Sequence, residues 1–265
     1  MKAFIIDLAY CNGCHNCQIA CKDEHVGNAW PPYAAEQPNT GHFWMKVNQK
    51  EHGQFPKVRI EYKPVLCNHC ENCGLVEAGA AYRREDGLVI LDPQKAGDRS
   101  LLAACPYDAV YWNEELSIAQ KCTGCAHLVD RGELPHCVDL CATGALRFGE
   151  EGEFAEEISH AETMDPESGC KPRVYYLNAM KPFVAGEVWD PEANEIIEGA
   201  TVALIAQDDE ERRVMTDDFG DFEFRDVAPG LYTVSVAAEG FESIEPLEVE
   251  VTESLNIGDF PLRRI

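Results

Sequence analysis

Four closely spaced cysteines near the amino terminus restrict what this chain can fold into more than any other feature. They follow the pattern Cys-x2-Cys-x2-Cys-x3-Cys, at Cys11, Cys14, Cys17 and Cys21. Three thiolates spaced in this way allow one short loop to bind three corners of a cuboidal 4Fe-4S cluster, while the fourth points to a different cluster. A zinc knuckle normally contributes only two cysteines per loop. The motif therefore predicts an iron–sulfur centre, entered by a strand over residues 2–7.

Two later cysteine groups repeat the pattern with changes. One contains Cys67, Cys70, Cys73 and the more distant Cys105. The other contains Cys122, Cys125, Cys137 and Cys141, with a long insertion before its third cysteine. The endings Cys105-Pro-Tyr-Asp-Ala-Val110 and Cys141-Ala-Thr-Gly-Ala-Leu146 are alike. Their likeness indicates an internal duplication of bacterial-ferredoxin-like units.

One cluster site expected of such a duplication is missing. Counted back from Cys105 with the spacing of the first motif, three further ligands would fall at positions 101, 98 and 95. The sequence has Leu101, Asp98 and Lys95 there. A fourth cysteine is also absent after Cys73, since residues 74–79 contain none. We therefore expect three clusters rather than four.

Exchange of the fourth ligand between paired halves assigns twelve of the 13 cysteines. Cluster 1 is expected to take Cys11, Cys14, Cys17 and Cys141. Cluster 2 is expected to take Cys21, Cys122, Cys125 and Cys137. Cluster 3 is expected to take Cys67, Cys70, Cys73 and Cys105. Cys170 is left over, either as an ordinary thiol or in a regulatory or interface role.

Several histidines and basic residues lie next to these cysteines. Since each cluster already has four sulfur ligands, we expect the histidines to pack or to hydrogen-bond sulfur rather than bind iron; they are His15, His69, His127 and His136. The basic residues are expected either to offset cluster charge or to be solvated; they are Lys22, Lys121 and Arg147.

The last 85 residues differ sharply from the rest of the chain. They contain no cysteine and carry 6 basic against 21 acidic residues, which divides the chain into domains 1–180 and 181–265. Alternating apolar and polar residues between turn signals predict a sandwich of short strands; the strands are expected at 183–189, 200–206, 212–216, 221–225, 231–237, 247–251 and 256–262. Segments 199–202, 216–222 and 229–234 resemble transthyretin-like or carboxypeptidase-regulatory-like sandwiches. The fold class predicted for the chain is α+β, a duplicated ferredoxin-like domain with insertions followed by this small all-β domain.

Charge and motifs exclude several functions. A net charge of −25 disfavours nucleic acid as a partner. No apolar run approaches 18 residues and the amino terminus does not resemble a secretory signal, so we expect a cytoplasmic chain, unless a signal-bearing partner exports it. Neither a dinucleotide fingerprint nor a Walker motif is present, and we identify no catalytic residues. A cube bound by four thiolates has no open iron, which favours electron transfer over catalysis.

The insertion between the first two cysteine groups is rich in aromatic residues. It contains Trp30-Pro-Pro-Tyr33 and Gly41-His-Phe-Trp-Met45. Such residues are favoured at the centres of protein interfaces. They could equally form a private hydrophobic cap over a cluster, and the sequence does not separate these alternatives.

The chain resembles the iron–sulfur subunits of the dimethyl-sulfoxide-reductase superfamily of molybdenum enzymes. It is most similar to the small subunits of pyrogallol–phloroglucinol transhydroxylase and of catechol dehydroxylases. The segments that carry the closer likeness are Gly41-His-Phe-Trp-Met45, Arg84-Glu-Asp-Gly87, Cys105-Pro-Tyr107, Tyr111-Trp-Asn-Glu114, Ala119-Gln-Lys-Cys-Thr-Gly-Cys-Ala-His-Leu128 and Lys171-Pro-Arg-Val-Tyr-Tyr176. One departure is the second group, where the superfamily has Cys-x2-Cys-x4-Cys but Cys70 and Cys73 are separated by only two residues.

The resemblance implies a partner and a reaction. The partner would be a large subunit, forming a heterodimer or a multiple of one, with a molybdenum (or tungsten) bis-pterin guanine dinucleotide centre. A phenolic substrate would lose or exchange a ring hydroxyl there, outside this chain. Two alternatives stay open: a free-standing polyferredoxin, and a mainly structural subunit of a transhydroxylase with no net redox change. The electron donor is not indicated.

Overall fold

Strands alternate with short helices as far as residue 177, and only strands follow. The computed structural model describes residues 1–265. The α-helices, α1 to α5 in chain order, are Asn16–His25, Gly74–Glu77, Ala126–Val129, His136–Asp139 and Ala155–Ile158. Short 3₁₀ helices cover Arg99–Ala104, Glu151–Phe154 and Pro166–Ser168. The strands, β1 to β17, are Lys2–Asp7, Lys46–Gln54, Lys57–Val65, Ala81–Arg83, Val89–Leu91, Tyr111–Asn113, Ile118–Gln120, Leu146–Glu150, Val174–Leu177, Val184–Asp190, Glu195–Ile196, Thr201–Ala206, Glu211–Met215, Asp221–Phe224, Gly230–Ala237, Leu247–Val251 and Leu255–Pro261.

The chain divides into two units. The first consists of Met1–Gln49 and Tyr62–Ala179, and it contains all 13 cysteines. The second consists of Met180–Ile265 together with Lys50–Glu61, which is the outer part of the β2–β3 hairpin. The sequence-based boundary near residue 180 does not assign this hairpin to the second unit, because the hairpin lies far earlier in the chain.

The strand predicted before the first cysteine motif is the centre of a three-stranded sheet. β1 pairs antiparallel with β8 and parallel with β9. Its run Phe4-Ile-Ile6 is almost completely buried. A strand covered on both faces has a continuous apolar sequence rather than an alternating one. The sheet thereby anchors the loop that follows β1, which carries the first three cysteines.

The positions of the missing cluster ligands have acquired other roles. Leu101 is buried in an apolar cluster; the other buried members are Leu75, Ala80, Ala81, Val89, Leu91, Ala96, Val110 and Ala119. The Asp98 carboxylate accepts a hydrogen bond from the Ser100 backbone N–H at 2.8 Å and so caps a 3₁₀ helix. Lys95 lies 3.8 Å from Asp92 in an exposed ion pair. Hydrophobic packing therefore stabilises the region where cluster ligands are lacking.

The second unit is a pair of four-stranded sheets. One sheet has the order β11-β10-β14, with β17 also paired to β10, and the other has the order β13-β12-β15-β16. Apolar side chains of both sheets form one core. All seven strands predicted for 181–265 are present, with bounds that differ by at most one residue. The two-residue strand β11 was not predicted.

Removing a large side chain from this core should destabilise the second unit. Phe224 is completely buried and makes an edge contact with Phe222, with ring centroids 6.1 Å apart. Because Phe224→Ala leaves a cavity, we expect a loss of about 3–5 kcal/mol, measured by denaturant unfolding of the whole chain. Phe219→Ala is the matched control, since Phe219 is 69% exposed and should change stability by no more than about 0.5 kcal/mol. Equal effects of the two substitutions would contradict the core assignment.

Candidate metal centre

The first group of thiols combines the amino-terminal loop with a distant cysteine. Cys17 is buried, Cys11 is partly exposed and Cys14 is exposed. Burial raises the pKa of Cys17 to about 12, and the charges of Cys11 and Cys141 contribute to this rise. The Leu146 backbone N–H donates to Cys141 Sγ at 3.4 Å. The fold thus brings Cys141 to the three thiols that lie far before it in the sequence.

The second group is the most deeply buried. Burial raises the pKa of Cys122 to about 11 and that of Cys125 to about 12. It raises the pKa of Cys21 and Cys137 well above the usual range, and the charges of Cys122 and Cys125 act on both in the same direction. Cys21 therefore lies with the cysteines of the third sequence group, although its sequence neighbour Cys17 lies mainly with Cys11 and Cys141.

The third group surrounds a cavity. Its lining includes the four thiols assigned to cluster 3, namely Cys67, Cys70, Cys73 and Cys105. A fifth thiol, Cys170, lines the same cavity. Burial raises the pKa of Cys70, and the charges of Cys67, Cys73, Cys170 and Cys105 add to this effect.

The spacing of the thiols fits a cluster. No three His, Cys, Asp or Glu side chains are placed to hold a single metal ion. A 4Fe-4S cube binds each of its four thiolates through a different iron, so its ligands surround the cube rather than meet at a point. Groups of four thiols fit such a cube in their chemistry, and those of the third group line one cavity.

The three Cys-x-x-Cys loops are built alike. In each, the residue before the second cysteine has a left-handed backbone: Gly13 with φ 70°, His69 with φ 45° and Gly124 with φ 64°. In each, the backbone N–H of that residue donates to the sulfur of the first cysteine, at 3.5 Å from His69 to Cys67 and 3.3 Å from Gly124 to Cys122. Such hydrogen bonds stabilise a charged thiolate and tune the potential of a cluster.

Two buried lysines have no carboxylate partner. Lys121 is 3% exposed and donates to the backbone carbonyls of Val89 and Cys122. Lys22 is 8% exposed and donates to Gln37 Oε1 at 3.2 Å and to two backbone carbonyls. A buried charge is costly unless it is compensated. An oxidised 4Fe-4S cube with four thiolates has a net charge of about −2 and would compensate such charges.

A histidine outside the predicted set lies close to a cluster thiol. His25 Nε2 is 3.8 Å from Cys125 Sγ. Burial and the neighbouring His127 and His136 lower the pKa of His25 to about 3, so the ring is neutral. A neutral ring with its proton on Nε2 can donate to a thiolate at Cys125. The sequence could have indicated that His25 lies near these thiols, because His25 follows Cys21 by four residues, one helical turn further along α1.

The predicted histidines occupy different environments. His15 is exposed and bonded to Gln18 at 3.2 Å, and His69 accepts at Nδ1 from the Val89 N–H at 3.0 Å. His127 and His136 lie 2.8 Å and 3.0 Å from the two oxygens of Glu24. Arg147 pairs with Glu157 at 2.7 Å on a half-exposed surface.

The aromatic insertion forms part of the core. Trp44 and Met45 are almost fully buried, and they pack in one apolar cluster with cysteines of all three groups. The Met45 backbone N–H bonds to the Cys21 sulfur. Trp30 and Tyr33 are only partly buried, and the Trp30 ring stacks on His127 with centroids 4.1 Å apart. For residues 42–45 these contacts favour a hydrophobic cap within the chain rather than an interface with another protein.

The second group adjoins both of the others. The charge of Cys17, from the first group, raises the pKa of Cys21 and Cys137. The backbone N–H of Cys67, from the third group, bonds to the Cys122 sulfur. Tyr111 lies between the second and third groups, since thiols of both raise its pKa. The order of the groups is therefore first, second, third.

Comparison with known proteins identifies the family. The model of the 4Fe-4S dicluster domain matches residues 58–151, and that of the carboxypeptidase regulatory-like domain matches residues 184–263. The chain is 40% identical to the pyrogallol hydroxytransferase small subunit of Pelobacter acidigallici, over 89% of this chain and 90% of that protein. The chain belongs to the iron–sulfur subunits of the dimethyl-sulfoxide-reductase molybdoenzyme superfamily.

Other members of the superfamily are also similar. A tetrathionate reductase subunit of Salmonella typhimurium is 35% identical over 69% of this chain and 74% of its own length. One component of the anaerobic dimethyl sulfoxide reductase of Escherichia coli is 32% identical over 77% of this chain and 95% of its own length. The predicted family is confirmed, and with it an iron–sulfur electron-transfer subunit of the molybdoenzyme type. The coarse fold prediction, an iron–sulfur domain followed by an all-β domain, is also confirmed.

No helix combines the length and the apolar character that crossing a bilayer requires. The longest helix, α1, has only 10 residues.

Proposed function

We propose that this chain holds three 4Fe-4S clusters in a row and conducts electrons for a large molybdopterin subunit. The observation that carries the proposal is the sorting of twelve thiols into three sets of four, with the second set adjoining the other two. Several clusters within one domain suit a series of one-electron transfers, because a cube with four thiolates exchanges electrons without an open iron.

The ligand assignment follows the three sets. Cluster 1 is held by Cys11, Cys14, Cys17 and Cys141. Cluster 2 is held by Cys21, Cys122, Cys125 and Cys137. Cluster 3 is held by Cys67, Cys70, Cys73 and Cys105. All of these lie within residues 1–180, and residues 181–265 serve as a structural or docking domain.

The two outer groups are where electrons enter and leave. Cys14 of the first group is exposed, and Cys73 and Cys105 of the third group are partly exposed, whereas every thiol of the second group is buried. Burial of the middle set shields it from solvent and from adventitious electron acceptors. The first and third groups are therefore accessible to redox partners, one at each end of the row of clusters.

The similarity to the pyrogallol hydroxytransferase small subunit suggests the partner. We propose a large catalytic subunit with a molybdenum bis-pterin guanine dinucleotide centre, acting on a polyhydroxylated aromatic compound by dehydroxylation of a catechol or transhydroxylation of a pyrogallol. The support in this chain is the combination of a lost fourth cluster site, packed with apolar side chains, and an added β-sandwich. No residue of this chain is assigned a catalytic role.

Metal and sulfide analysis tests the proposal. The chain isolated without oxygen should contain about 12 Fe and about 12 acid-labile sulfides. Zinc without sulfide would contradict it, because a zinc site needs no inorganic sulfur. Native mass measurement of the endogenous protein tests the partner. Recovery as a lone chain would instead favour a free polyferredoxin.

A further inference from the structure

Five thiols, rather than four, line the cavity of the third group. Cys170 shares the lining with the four proposed ligands of cluster 3. It is partly buried, and its sulfur has one weak local contact, 3.8 Å from the Ser168 carbonyl oxygen. The other two groups contain no comparable extra thiol, because the remaining twelve cysteines are all assigned.

Backbone hydrogen bonds hold Cys170 against the ligand loop. The Asn72 N–H donates to the Cys170 carbonyl at 3.0 Å, and the Glu71 N–H donates to the Lys171 carbonyl at 3.0 Å. The Arg173 N–H donates to the Asn68 carbonyl at 2.9 Å. Segment 170–173 therefore runs alongside the loop that carries Cys67, Cys70 and Cys73, and it keeps its own thiol at the same cavity.

Further contacts reinforce this arrangement. The Asn72 side chain donates to the Gly169 carbonyl at 2.8 Å, and Tyr107, two residues after Cys105, bonds to Ser168 at 2.7 Å. Lys171 pairs with Glu71 at 3.1 Å. The segment around Cys170 is thus tied to both parts of the chain that supply cluster 3 ligands.

Two buried polar residues lie on the lining of the cavity. Asn68 is 1% exposed, and its Oδ1 has no hydrogen-bond partner. Lys121, which is 3% exposed, is the other. An unpaired buried acceptor is costly, and together with a buried cation it marks a built site rather than a packing defect.

We propose that Cys170 is a reserve ligand of the third cluster, able to bind iron in place of Cys70. This rests on the proposed function, since it requires a cluster at the third group. In the exchange the bond from iron to the Cys70 sulfur breaks and one to the Cys170 sulfur forms. The Cys170 proton passes to the released Cys70 thiolate, so that iron, sulfur and charge balance without any oxidation or reduction. Where Cys70 is absent, that proton passes to solvent.

Cys70 is the ligand that Cys170 is best placed to replace. The charge of Cys170 contributes to the raised pKa of Cys70. The charges of both thiols contribute to the raised pKa of the neighbouring Tyr107. Cys70 also lies two residues before Asn72, whose N–H binds the Cys170 carbonyl. Both thiols therefore line one cavity, from segments that backbone hydrogen bonds hold together.

Alanine variants of the whole chain, isolated without oxygen together with any co-purifying subunit, test the proposal. Alanine is used because a serine oxygen can itself bind iron. Cys70→Ala should retain about 12 Fe and three reducible 4Fe-4S signals in paramagnetic resonance, with the third signal shifted. Cys70→Ala/Cys170→Ala should leave the fourth iron of that cluster without a protein thiolate, so that on oxidation it should lose this iron and show a three-iron signal, or lose the cluster. Cys170→Ala alone should match the unaltered chain.

Cys125→Ala is the matched control, since the second group has no fifth thiol and should lose iron directly. If Cys70→Ala behaves like Cys125→Ala while the unaltered chain holds about 12 Fe, Cys170 is not a reserve ligand. An unaltered chain that lacks three clusters contradicts the proposed function instead. Circular dichroism of each variant confirms that an iron loss does not result from unfolding.

Discussion

Cys21→Ala is expected to remove the cluster of the second group and to leave that of its sequence neighbours intact. Cys21 and Cys17 lie one turn apart on α1, yet the thiols whose charges raise the pKa of Cys21 are chiefly Cys122 and Cys125. The thiols whose charges raise the pKa of Cys17 are Cys11, Cys141 and Cys14. The helix therefore presents two thiols, one turn apart, to different groups of cysteines.

Paramagnetic resonance of the reduced protein, combined with iron analysis, measures this effect. The expected loss is up to about four irons, with the signal of cluster 1 unchanged. Cys17→Ala is the reciprocal variant and should remove the signal of cluster 1. Loss of only the cluster held by Cys11 and Cys14 on replacing Cys21 would show that the pairing is wrong.

Lys121→Met should lower the reduction potential of the second cluster and, to a lesser degree, that of the third. Lys121 is buried, its ammonium donates to the Cys122 carbonyl with no carboxylate to neutralise it, and the residue also lines the cavity of the third group. Reduction adds a negative charge, which a nearby cation stabilises. At an effective dielectric constant of about 20, a unit charge a few ångströms away contributes on the order of 2–4 kcal/mol.

The change should therefore exceed about tenfold in the ratio of reduced to oxidised cluster, which is about 59 mV for a one-electron couple. Redox titration monitored by paramagnetic resonance measures it directly. Lys95→Met is the control, because Lys95 has a largely exposed side chain paired with Asp92, so its loss should shift no potential measurably. An unchanged potential in Lys121→Met would show that the ammonium does not act on the clusters.

Much of the fold follows from local patterns. The strand Lys2–Asp7 was expected before the first motif, and the sandwich strands were expected from alternation between turns. These predictions succeed because the spacing of cysteines and the period of a strand are properties of a few consecutive residues. Strand bounds differed by at most one residue, since hydrogen bonding rather than composition determines where a strand ends.

Contacts between residues that are distant along the chain could not be predicted from the sequence. The aromatic residues at 42–45 fit an interface and a cap equally well, and only their burial next to the cysteines favours the cap. Lys121 acquires its significance from a buried environment that contains no carboxylate. That environment is not encoded in the flanking residues.

The sequence by itself indicated the family, the iron–sulfur chemistry and the absence of one set of cysteines, because ligand type and spacing follow from the order of residues. Only the tertiary structure decided which group lies in the middle, what fills the lost site and where Cys170 lies. Those outcomes depend on contacts between residues 100 or more positions apart, such as the hydrogen bond from the Glu71 N–H to the Lys171 carbonyl. Cys170, left over when ligands were counted along the sequence, lines the cavity of the third group because backbone hydrogen bonds to the loop of Cys70 place it there.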